Sequence, residues 1–160
     1  MNSIKSGSAR KPAGAGRRSA RHRARQFAVQ GLYQWLLAGT AVATIEQQLA
    51  ETTGFDKIDT AYFQCLLRGA IGAQAELETL IAPYLDRPVR ELSPVERGIL
   101  LLAGFELMRS IEVPYRVVIN EAVELAKTYG GTDGHKYVNG VLDNMAGKLR
   151  DLEINGATEG

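Results

Sequence analysis

Cysteine and histidine are scarce in this sequence, which has one cysteine, Cys65, and two histidines, His22 and His135, among 160 residues. A single cysteine excludes an internal disulfide and any zinc site with several cysteine ligands. Two isolated histidines do not form a metal site either. We therefore expect no metal and no cofactor, and we expect the protein to work in the reducing environment of the cytoplasm.

Long apolar runs are also missing. No segment approaches the roughly 18 apolar residues that a membrane span requires. The chain begins with a basic segment, but no uninterrupted apolar stretch follows it, so a secretory signal is not expected. Because this segment is rich in arginine and serine and has no acidic residue, a transit peptide stays open as an alternative.

The motifs of common catalytic sites are absent as well. The sequence has no glycine-rich phosphate loop, no HExxH and no GxSxG. Cys65 falls on the apolar face of its predicted helix, where we expect a small buried hydrophobe rather than a nucleophile. Carboxylate pairs such as Glu121 and Glu124 are better explained as surface charge. The sequence therefore favours a binding protein over an enzyme.

Basic residues are concentrated at the start of the chain. The net charge is only +1, yet residues 1–25 hold eight of the 19 lysines and arginines and none of the 18 acidic residues. Such a block is typical of an arm that binds a polyanion. A solvated tail that only aids solubility would have the same composition, so this alternative also stays open.

Apolar periodicity predicts helices along the chain, and no segment has the alternating pattern of a strand. Residues 1–16 are rich in serine, glycine, alanine and lysine and are expected to be disordered. The helix that follows should stop at Gly39. A shorter helix is predicted over about 43–52, with Ile45 and Leu49 inward. The first helix is expected to bury Ala28, Gly31, Leu32, Trp35 and Leu36.

The middle of the chain is predicted to form one long helix. Asp56 is expected to cap its start, with Asp59 three residues later favouring the positive helix end. The helix should end at Ala82, because Pro83 disfavours helical geometry in the residue before it. The face expected to be buried consists of Ile58, Tyr62, Cys65, Leu66, Gly69, Ala73, Leu77, Leu80 and Ile81.

A strong helix start follows a connection near residues 83–93. Ser93 is suited to cap the helix, Pro94 fits its first position, and Glu96 is placed to bond back to the Ser93 amide. The helix continues as ILLLAGFELM, which is apolar nearly all round, so it should be the central one. Over the whole chain we count six or seven helices in two groups divided near residues 83–93, and the predicted fold class is all-α.

Two amphipathic helices complete the predicted fold. Pro114 precedes the first of them, and Gly130 and Gly131 close it. Residues 151–160 are expected to fray. The residues predicted to be inward are Ile119, Ala122, Val123 and Ala126 in one helix, and Val138, Val141, Leu142, Met145 and Leu149 in the other.

Two features near the start of the chain are candidates for binding RNA. Arginine presents a planar fork of donors that grips phosphate and stacks on bases, and arginine-rich segments can become ordered on RNA. The sequence RRSARHRAR therefore makes candidates of Arg17, Arg18, Arg21, Arg23 and Arg25. Tyr33 lies two turns beyond this cluster and is the second candidate, although a boundary aromatic that only packs would have the same position.

The start of the last helix is a third candidate. Free amides and the helix dipole make a helix start a modest anion site. Lys136 would add a phosphate contact there, and Tyr137 would add a stacking surface. Asp133 argues partly against this, because as the capping residue it would occupy some of the amides itself. The feature gains weight only if the fold brings it beside the basic arm.

Several segments carry a resemblance to a known family. They are ARQFAVQGLYQW (24–35), LSPVERGILLLAGFEL (92–107), VPYRVVINEAVELAKTYG (113–130) and HKYVNGVLDNMA (135–146). From about residue 17 to 150 the chain resembles the NusB family of bacterial transcription antitermination proteins. The resemblance implies about seven helices in two three-helix-bundle subdomains, over about 17–83 and 84–150. The flanks would be a disordered basic tail, 1–16, and a flexible C-terminus, 151–160.

The resemblance also implies a function in the antitermination of ribosomal RNA transcription. Members of the family bind boxA RNA of ribosomal RNA operons together with NusE, a protein of the small ribosomal subunit. The pair joins the RNA polymerase elongation complex with other Nus factors. The implied RNA contacts are Arg17, Arg18, Arg21, Arg23, Arg25, Tyr33, Lys136 and Tyr137. The candidates for contacting NusE are Glu96 and Asp133, of which Asp133 borders the RNA surface and Glu96 is also the predicted capping glutamate.

Two other interpretations stay open. A structural interaction module, such as a homodimer, would use the basic arm as an unspecific electrostatic tether. A related module also precedes the catalytic domain of some ribosomal RNA methyltransferases, which would make this chain an accessory domain. No dinucleotide-type βαβ unit follows residue 150 in this sequence, and this argues against methyl transfer.

Overall fold

The computed structural model describes residues 13–131 and 133–156, and over these residues the chain is helical and has no strand. The predicted all-α fold class is therefore confirmed. The eight α-helices of this part are α1 (Ala13–Ala38), α2 (Val42–Ala50), α3 (Thr60–Gly72), α4 (Gln74–Ile81), α5 (Pro94–Arg109), α6 (Tyr115–Tyr129), α7 (Gly134–Leu149) and α8 (Asp151–Asn155). Short 3₁₀ turns occur at Phe55–Lys57, Ala82–Tyr84 and Val89–Glu91.

The first helix begins earlier than its composition predicts. α1 starts at Ala13, so residues 13–16 are helical, although serine, glycine and alanine predict disorder there. Residues 1–12, which carry the rest of that prediction, lie outside the described residues. At the other end, Gly39 has a φ of 67°, and its amide donates to the Trp35 carbonyl at 2.9 Å. Glycine adopts this left-handed conformation without a steric penalty, and the predicted stop is confirmed.

The single long helix predicted for the middle of the chain is two helices. α3 and α4 are separated at Ala73, which has φ −104° and ψ 16°. The same apolar periodicity continues across the break, so the pattern alone does not reveal it. The cap is also different from the prediction, because Asp59 rather than Asp56 accepts the hydrogen bond from the Tyr62 amide, at 3.0 Å. Asp56 lies in the preceding 3₁₀ turn.

Cys65 is exposed, so the prediction that it is a buried hydrophobe is wrong. The buried face of α3 consists of Tyr62, Phe63, Leu66, Leu67 and Ala70. It shares Tyr62 and Leu66 with the predicted face but is centred on positions 63, 66 and 70 rather than on 62, 65 and 69. Position 65 therefore lies outside the buried face.

α5 is the central helix, as its composition predicts. All ten residues from Gly98 to Leu107 are buried, and α5 packs against α1, α3, α4, α6 and α7. The buried apolar side chains of the described residues form one contiguous core. The division into two bundles near residues 83–93 stays a prediction. No helix in the described ranges has the length and apolar character that crossing a membrane requires.

The last two long helices bury the faces predicted for them. α6 begins directly after Pro114 and ends at Tyr129, next to Gly130. Of the predicted inward residues, Val123 and Leu149 are half-buried. The others are buried, namely Ile119, Ala122, Ala126, Val138, Val141, Leu142 and Met145.

Arg150 stabilises the end of α5. The last carbonyls of a helix have no partner within the helix, and a buried one must find another donor. The buried Arg150 guanidinium donates to the backbone carbonyls of Glu106, Leu107, Ser110 and Val113, at 2.7–3.1 Å. The start of α8 therefore holds the connection between α5 and α6.

Residues 151–155, for which fraying is predicted, form the short helix α8. Glu153 of this helix pairs with Arg150 and accepts a hydrogen bond from the Tyr115 amide at 2.9 Å. Because Tyr115 is the first residue of α6, the same segment that completes the end of α5 also satisfies the start of α6. Residues 157–160 lie outside the described residues.

α3 and α5 approach closely at a glycine, and this contact gives a stability prediction. A Cβ built at Gly69 would lie 2.1 Å from Cζ of the Phe105 ring, whereas one built at Gly72 meets nothing within 4 Å. We expect Gly69→Ala to lower the free energy of unfolding by about 1–3 kcal/mol, the usual cost of overpacking. Gly72→Ala is the matched control and should be neutral or slightly stabilising. Urea unfolding measures both, and equal stability of the two variants would contradict the contact.

Candidate nucleic-acid interface

The exposed part of the predicted arginine cluster lies at the start of α1. Arg17, Arg18 and Arg23 are exposed to solvent. Arg17 and Arg18 border a groove of about 250 Å³. The groove is also lined by apolar and acidic residues before and within α6, namely Glu112, Val113, Pro114, Val117 and Glu121. Exposed arginines of this kind can bind a phosphate or stack on a base.

Arg25 differs from the rest of the cluster because it is buried, with 3% of its surface exposed. Its Nε and Nη2 atoms donate to the two carboxylate oxygens of Glu106 on α5, at 2.9 and 2.8 Å. The Tyr62 hydroxyl of α3 donates to the same carboxylate. Its donor fork is therefore used inside the protein, and this argues against the RNA contact that the sequence predicts for Arg25.

The surroundings of Arg25 keep its guanidinium charged. Burial alone lowers the pKa of Arg25, but its hydrogen bonds and charge pairing with Glu106 raise that pKa above its usual value. Burial and the Glu106 charge also raise the pKa of the Tyr62 hydroxyl above its usual range, so the hydroxyl stays protonated and donates. The sequence does contain a signal for this pair. Arg25 shares a helix face with Ala28 and Leu32, and Glu106 is the one charged residue in the apolar run of α5.

Arg21 and His22 are partly engaged with the protein. The Arg21 guanidinium lies 4.0 Å from the centroid of the Tyr62 ring, and its Nε is 3.5 Å from an Asp59 carboxylate oxygen. His22 Nδ1 is 2.8 Å from a carboxylate oxygen of Glu121 on α6. Both side chains are half-buried, so Arg21 has less freedom to meet a ligand than Arg17 or Arg18.

Tyr33 lies near the other end of α1. Its side chain is 40% exposed and, with Leu37 and Tyr129, lines a mostly apolar cavity of about 580 Å³. At a rise of about 1.5 Å per residue, Tyr33 and Arg17 are roughly 24 Å apart along the helix axis. The two features share one helix but do not form one compact cluster.

α1 and α6 run side by side in the same direction. His22 contacts Glu121, and Gln30 donates to the Tyr129 hydroxyl at 3.3 Å, so both helices advance by eight residues between the two contacts. The end of α6 therefore lies beside Tyr33, and the chain then continues into α7. The fold consequently brings the start of α7 near the Tyr33 end of α1. It does not bring it beside the arginines at the other end of that helix.

Lys136 and Tyr137, predicted as a phosphate contact and a stacking surface, have different environments. Lys136 is exposed, and its Nζ is 3.7 Å from an Asp133 carboxylate oxygen. Asp133 takes the capping position of α7 but makes no side-chain cap bond, so it does not occupy the amides as predicted. Tyr137 is half-buried, and the Arg87 guanidinium lies over its ring, 4.9 Å from the centroid. Arg87 is not among the residues that the sequence singles out.

Glu96 lies against the start of α7. A Cβ built at Gly134 would be 3.1 Å from Glu96 Oε2, so a larger residue at 134 would crowd this carboxylate. Ser93 Oγ accepts from the Glu96 amide at 3.1 Å, which confirms the predicted cap of α5. The Glu96 carboxylate is directed to the positive end of α7 rather than to the Ser93 amide. Together with Arg87, Asp133 and Tyr137, Glu96 lines a cavity of about 320 Å³.

Comparison with known proteins gives a consistent result. The model of the NusB family matches residues 22–147. The transcription antitermination protein NusB of Aromatoleum aromaticum is 54% identical over 138 residues, which cover 86% of this chain and 95% of that protein. The protein of the same name from Paraburkholderia xenovorans is 55% identical over 140 residues, covering 88% of this chain and 97% of the relative.

Two solved structures whose names include NusB have the same fold as this chain. T. maritima NusB superimposes with a TM-score of 0.71 at 29% identity, covering 80% of this chain and 91% of that one. A chain in the crystal structure of antitermination factors NusB and NusE in complex with dsRNA gives a TM-score of 0.72 at 27% identity. That match covers 80% of this chain and 96% of the other.

The burial of Arg25 predicts a stability effect that its exposed neighbour does not share. Arg25→Gln leaves the Glu106 carboxylate buried without its partner, and we expect a loss of about 3–5 kcal/mol in the free energy of unfolding. Arg23→Gln, two positions earlier and exposed, should leave stability unchanged. Urea unfolding of both variants measures the difference. An Arg25→Gln variant that is as stable as the wild type but binds RNA poorly would show that Arg25 acts on the ligand.

Proposed function

The chain belongs to the NusB family, and on this premise we propose that it is a transcription antitermination factor that binds RNA together with NusE. The observation that carries the proposal is the surface along α1, which has exposed arginines at one end and an exposed tyrosine at the other. A structural neighbour with the same fold occurs in a complex with NusE and dsRNA, which supports the same assignment. The proposed role is one of binding rather than catalysis.

The RNA partner we propose is the boxA element of ribosomal RNA operons. Arg17, Arg18 and Arg23 supply phosphate contacts at the basic end, with Arg21 as a weaker contributor. Such contacts provide affinity and position the RNA but carry little sequence information. Tyr33 and Lys136 lie toward the far end, where a base would stack on the tyrosine and contacts to base edges would distinguish one base from another. A single strand lying along α1 would meet both ends.

The protein partner we propose is NusE, which would contact the surface around Glu96 and Asp133. Both carboxylates line the same cavity near the start of α7, next to the Tyr33 end of the RNA surface. An RNA strand that reaches this end would therefore lie next to the bound protein. We further propose that the pair joins the RNA polymerase elongation complex with other Nus factors, in the cytoplasm.

A second candidate is a homodimer that covers part of the same surface. The observation that favours it is the apolar cavity lined by Tyr33 and Leu37, both of which are large apolar residues exposed to solvent. Exposed apolar patches often mark protein interfaces. Sedimentation with and without RNA distinguishes the dimer from the RNA-bound monomer. A dimer formed through this surface should dissociate as RNA binds.

Sequence-selective binding is the central test of the proposed function. With NusE present at constant salt, we expect tighter binding to a boxA oligonucleotide than to a scrambled strand of equal length and composition. A scrambled strand keeps the phosphates and changes only the base order, so the ratio isolates base recognition. Fluorescence anisotropy measures both affinities. Equal affinity for the two strands, with and without NusE, would refute the proposal and favour the unspecific tether.

The basic end of α1 should control the salt dependence of binding. Removing one arginine that binds a phosphate of a single strand reduces the slope of log affinity against log salt by about 0.7. The Arg17→Gln, Arg18→Gln double variant should therefore reduce the slope by roughly 1.4. The matched control is Arg109→Gln, Lys148→Gln, which removes the same charge from exposed residues outside the α1 surface. An equal reduction by both double variants would indicate a general charge effect and no defined contact.

A further inference from the structure

The connection between α4 and α5 carries an arrangement of side chains that the proposed RNA surface does not yet use. Asp86 and Arg87 lie between the 3₁₀ turns Ala82–Tyr84 and Val89–Glu91. Arg87 Nε is 2.6 Å from Asp86 Oδ1, and its Nη2 is 3.1 Å from Asp86 Oδ2. Two parallel bonds of this kind hold the plane of a guanidinium in one orientation.

Tyr137 of α7 supports this pair from one side. Its hydroxyl donates to Asp86 Oδ1 at 3.0 Å and accepts from the Asp86 amide at 3.2 Å. The ring lies beneath the Arg87 guanidinium, 4.9 Å from its Cζ. Hydrogen bonds from Arg87 and Tyr137 lower the pKa of Asp86, which keeps its carboxylate charged. Asp86, Arg87 and Tyr137 therefore restrict one another's positions. Their contacts attach the connection between α4 and α5 to α7.

The outer side of Arg87 faces solvent. Its side chain is 41% exposed, while one of its faces is covered by the Tyr137 ring. One face of the Tyr137 ring, for which the sequence predicts base stacking, is therefore covered by another planar group. The exposed planar surface at this position belongs to Arg87.

We propose that the exposed face of the Arg87 guanidinium is a stacking site for one unpaired nucleobase of the bound RNA. The inference rests on the proposed function and deepens it by assigning a base-binding residue near the start of α7. Guanidinium planes stack on unstacked bases of single-stranded RNA, and their charge adds a cation–π contribution. Because Asp86 and Tyr137 hold the plane in the free protein, less conformational freedom is lost when a base binds.

The surrounding charges favour a base over a phosphate at this position. Asp86 already occupies the Nε–Nη2 edge of the Arg87 fork, so a phosphate could bind only the remaining Nη donors. Glu96 and Asp133 line the same cavity and would repel a phosphate. An uncharged base that stacks on the guanidinium needs no free donor and meets no charge repulsion. The face of the guanidinium, rather than its edge, is therefore the surface that suits a ligand at this position.

The test compares Arg87→Lys, which keeps the charge and removes the plane, with Arg90→Lys on the same connection as the matched control. Both residues are exposed, and thermal melting verifies that both variants fold. Binding is measured with NusE and a series of boxA oligonucleotides, each lacking one base. One position should exist at which base removal weakens wild-type binding about 5- to 150-fold, the effect of one stacked base. Arg90→Lys should show the same loss at that position.

Arg87→Lys should weaken binding of the intact strand by a similar factor, and base removal at that one position should then have no further effect. Two results would overturn the stacking site. In the first, Arg87→Lys binds the strand as tightly as the wild type, while Arg87→Gln, which removes the charge, reduces the slope of log affinity against log salt. This would indicate a phosphate contact. The other is equal loss on base removal in Arg87→Lys and the wild type at every position. If wild type and Arg90→Lys bind no boxA strand, the proposed function fails and the site fails with it.

Discussion

The pair between Arg25 and Glu106 is the interaction on which the arrangement of this fold depends. It joins α1 to the central helix α5, while the Tyr62 hydroxyl adds α3 and Glu121 of α6 approaches the same guanidinium at 3.4 Å. Taking two charges out of water is costly, and the cost is offset only when every donor and acceptor is matched. Four helices therefore have to meet with correct register around one point. A slip of α1 by a single residue would leave Glu106 buried and unpaired.

This constraint also orients the rest of the basic segment. With Arg25 inward, Arg23 two positions earlier is on the opposite side of α1, because successive residues are about 100° apart. The same sequence block is thus divided between two uses. Arg25 holds the core together, while Arg17, Arg18 and Arg23 present their charge to solvent. Arg21 is half-buried over the Tyr62 ring. A second buried arginine, Arg150, acts in a comparable way on the free carbonyls of α5.

The candidate interface extends along the molecule. The basic end and Tyr33 are separated by about 24 Å along α1, and the start of α7 lies beyond Tyr33. This separation suits a flexible strand better than a compact ligand, since charge and aromatic contacts are reached by different parts of it. In the proposed function it also divides the physical roles, with long-range attraction of the RNA at one end and discrimination among bases at the other.

Features that depend on near neighbours along the chain could be predicted from the sequence. Helical periodicity, the Ser93 cap and the glycine after α1 are local, because each is decided by residues within a few positions. The family resemblance likewise came from contiguous segments. Four features could be seen only in the tertiary structure. They are the exposure of Cys65, the break at Ala73, the burial of Arg25 and the position of Arg87 over the Tyr137 ring. These features depend on partners such as Glu106, 81 residues from Arg25, and Asp86, 51 residues from Tyr137. Periodicity reports which face of a helix is buried, but not which charged group lies on the other side.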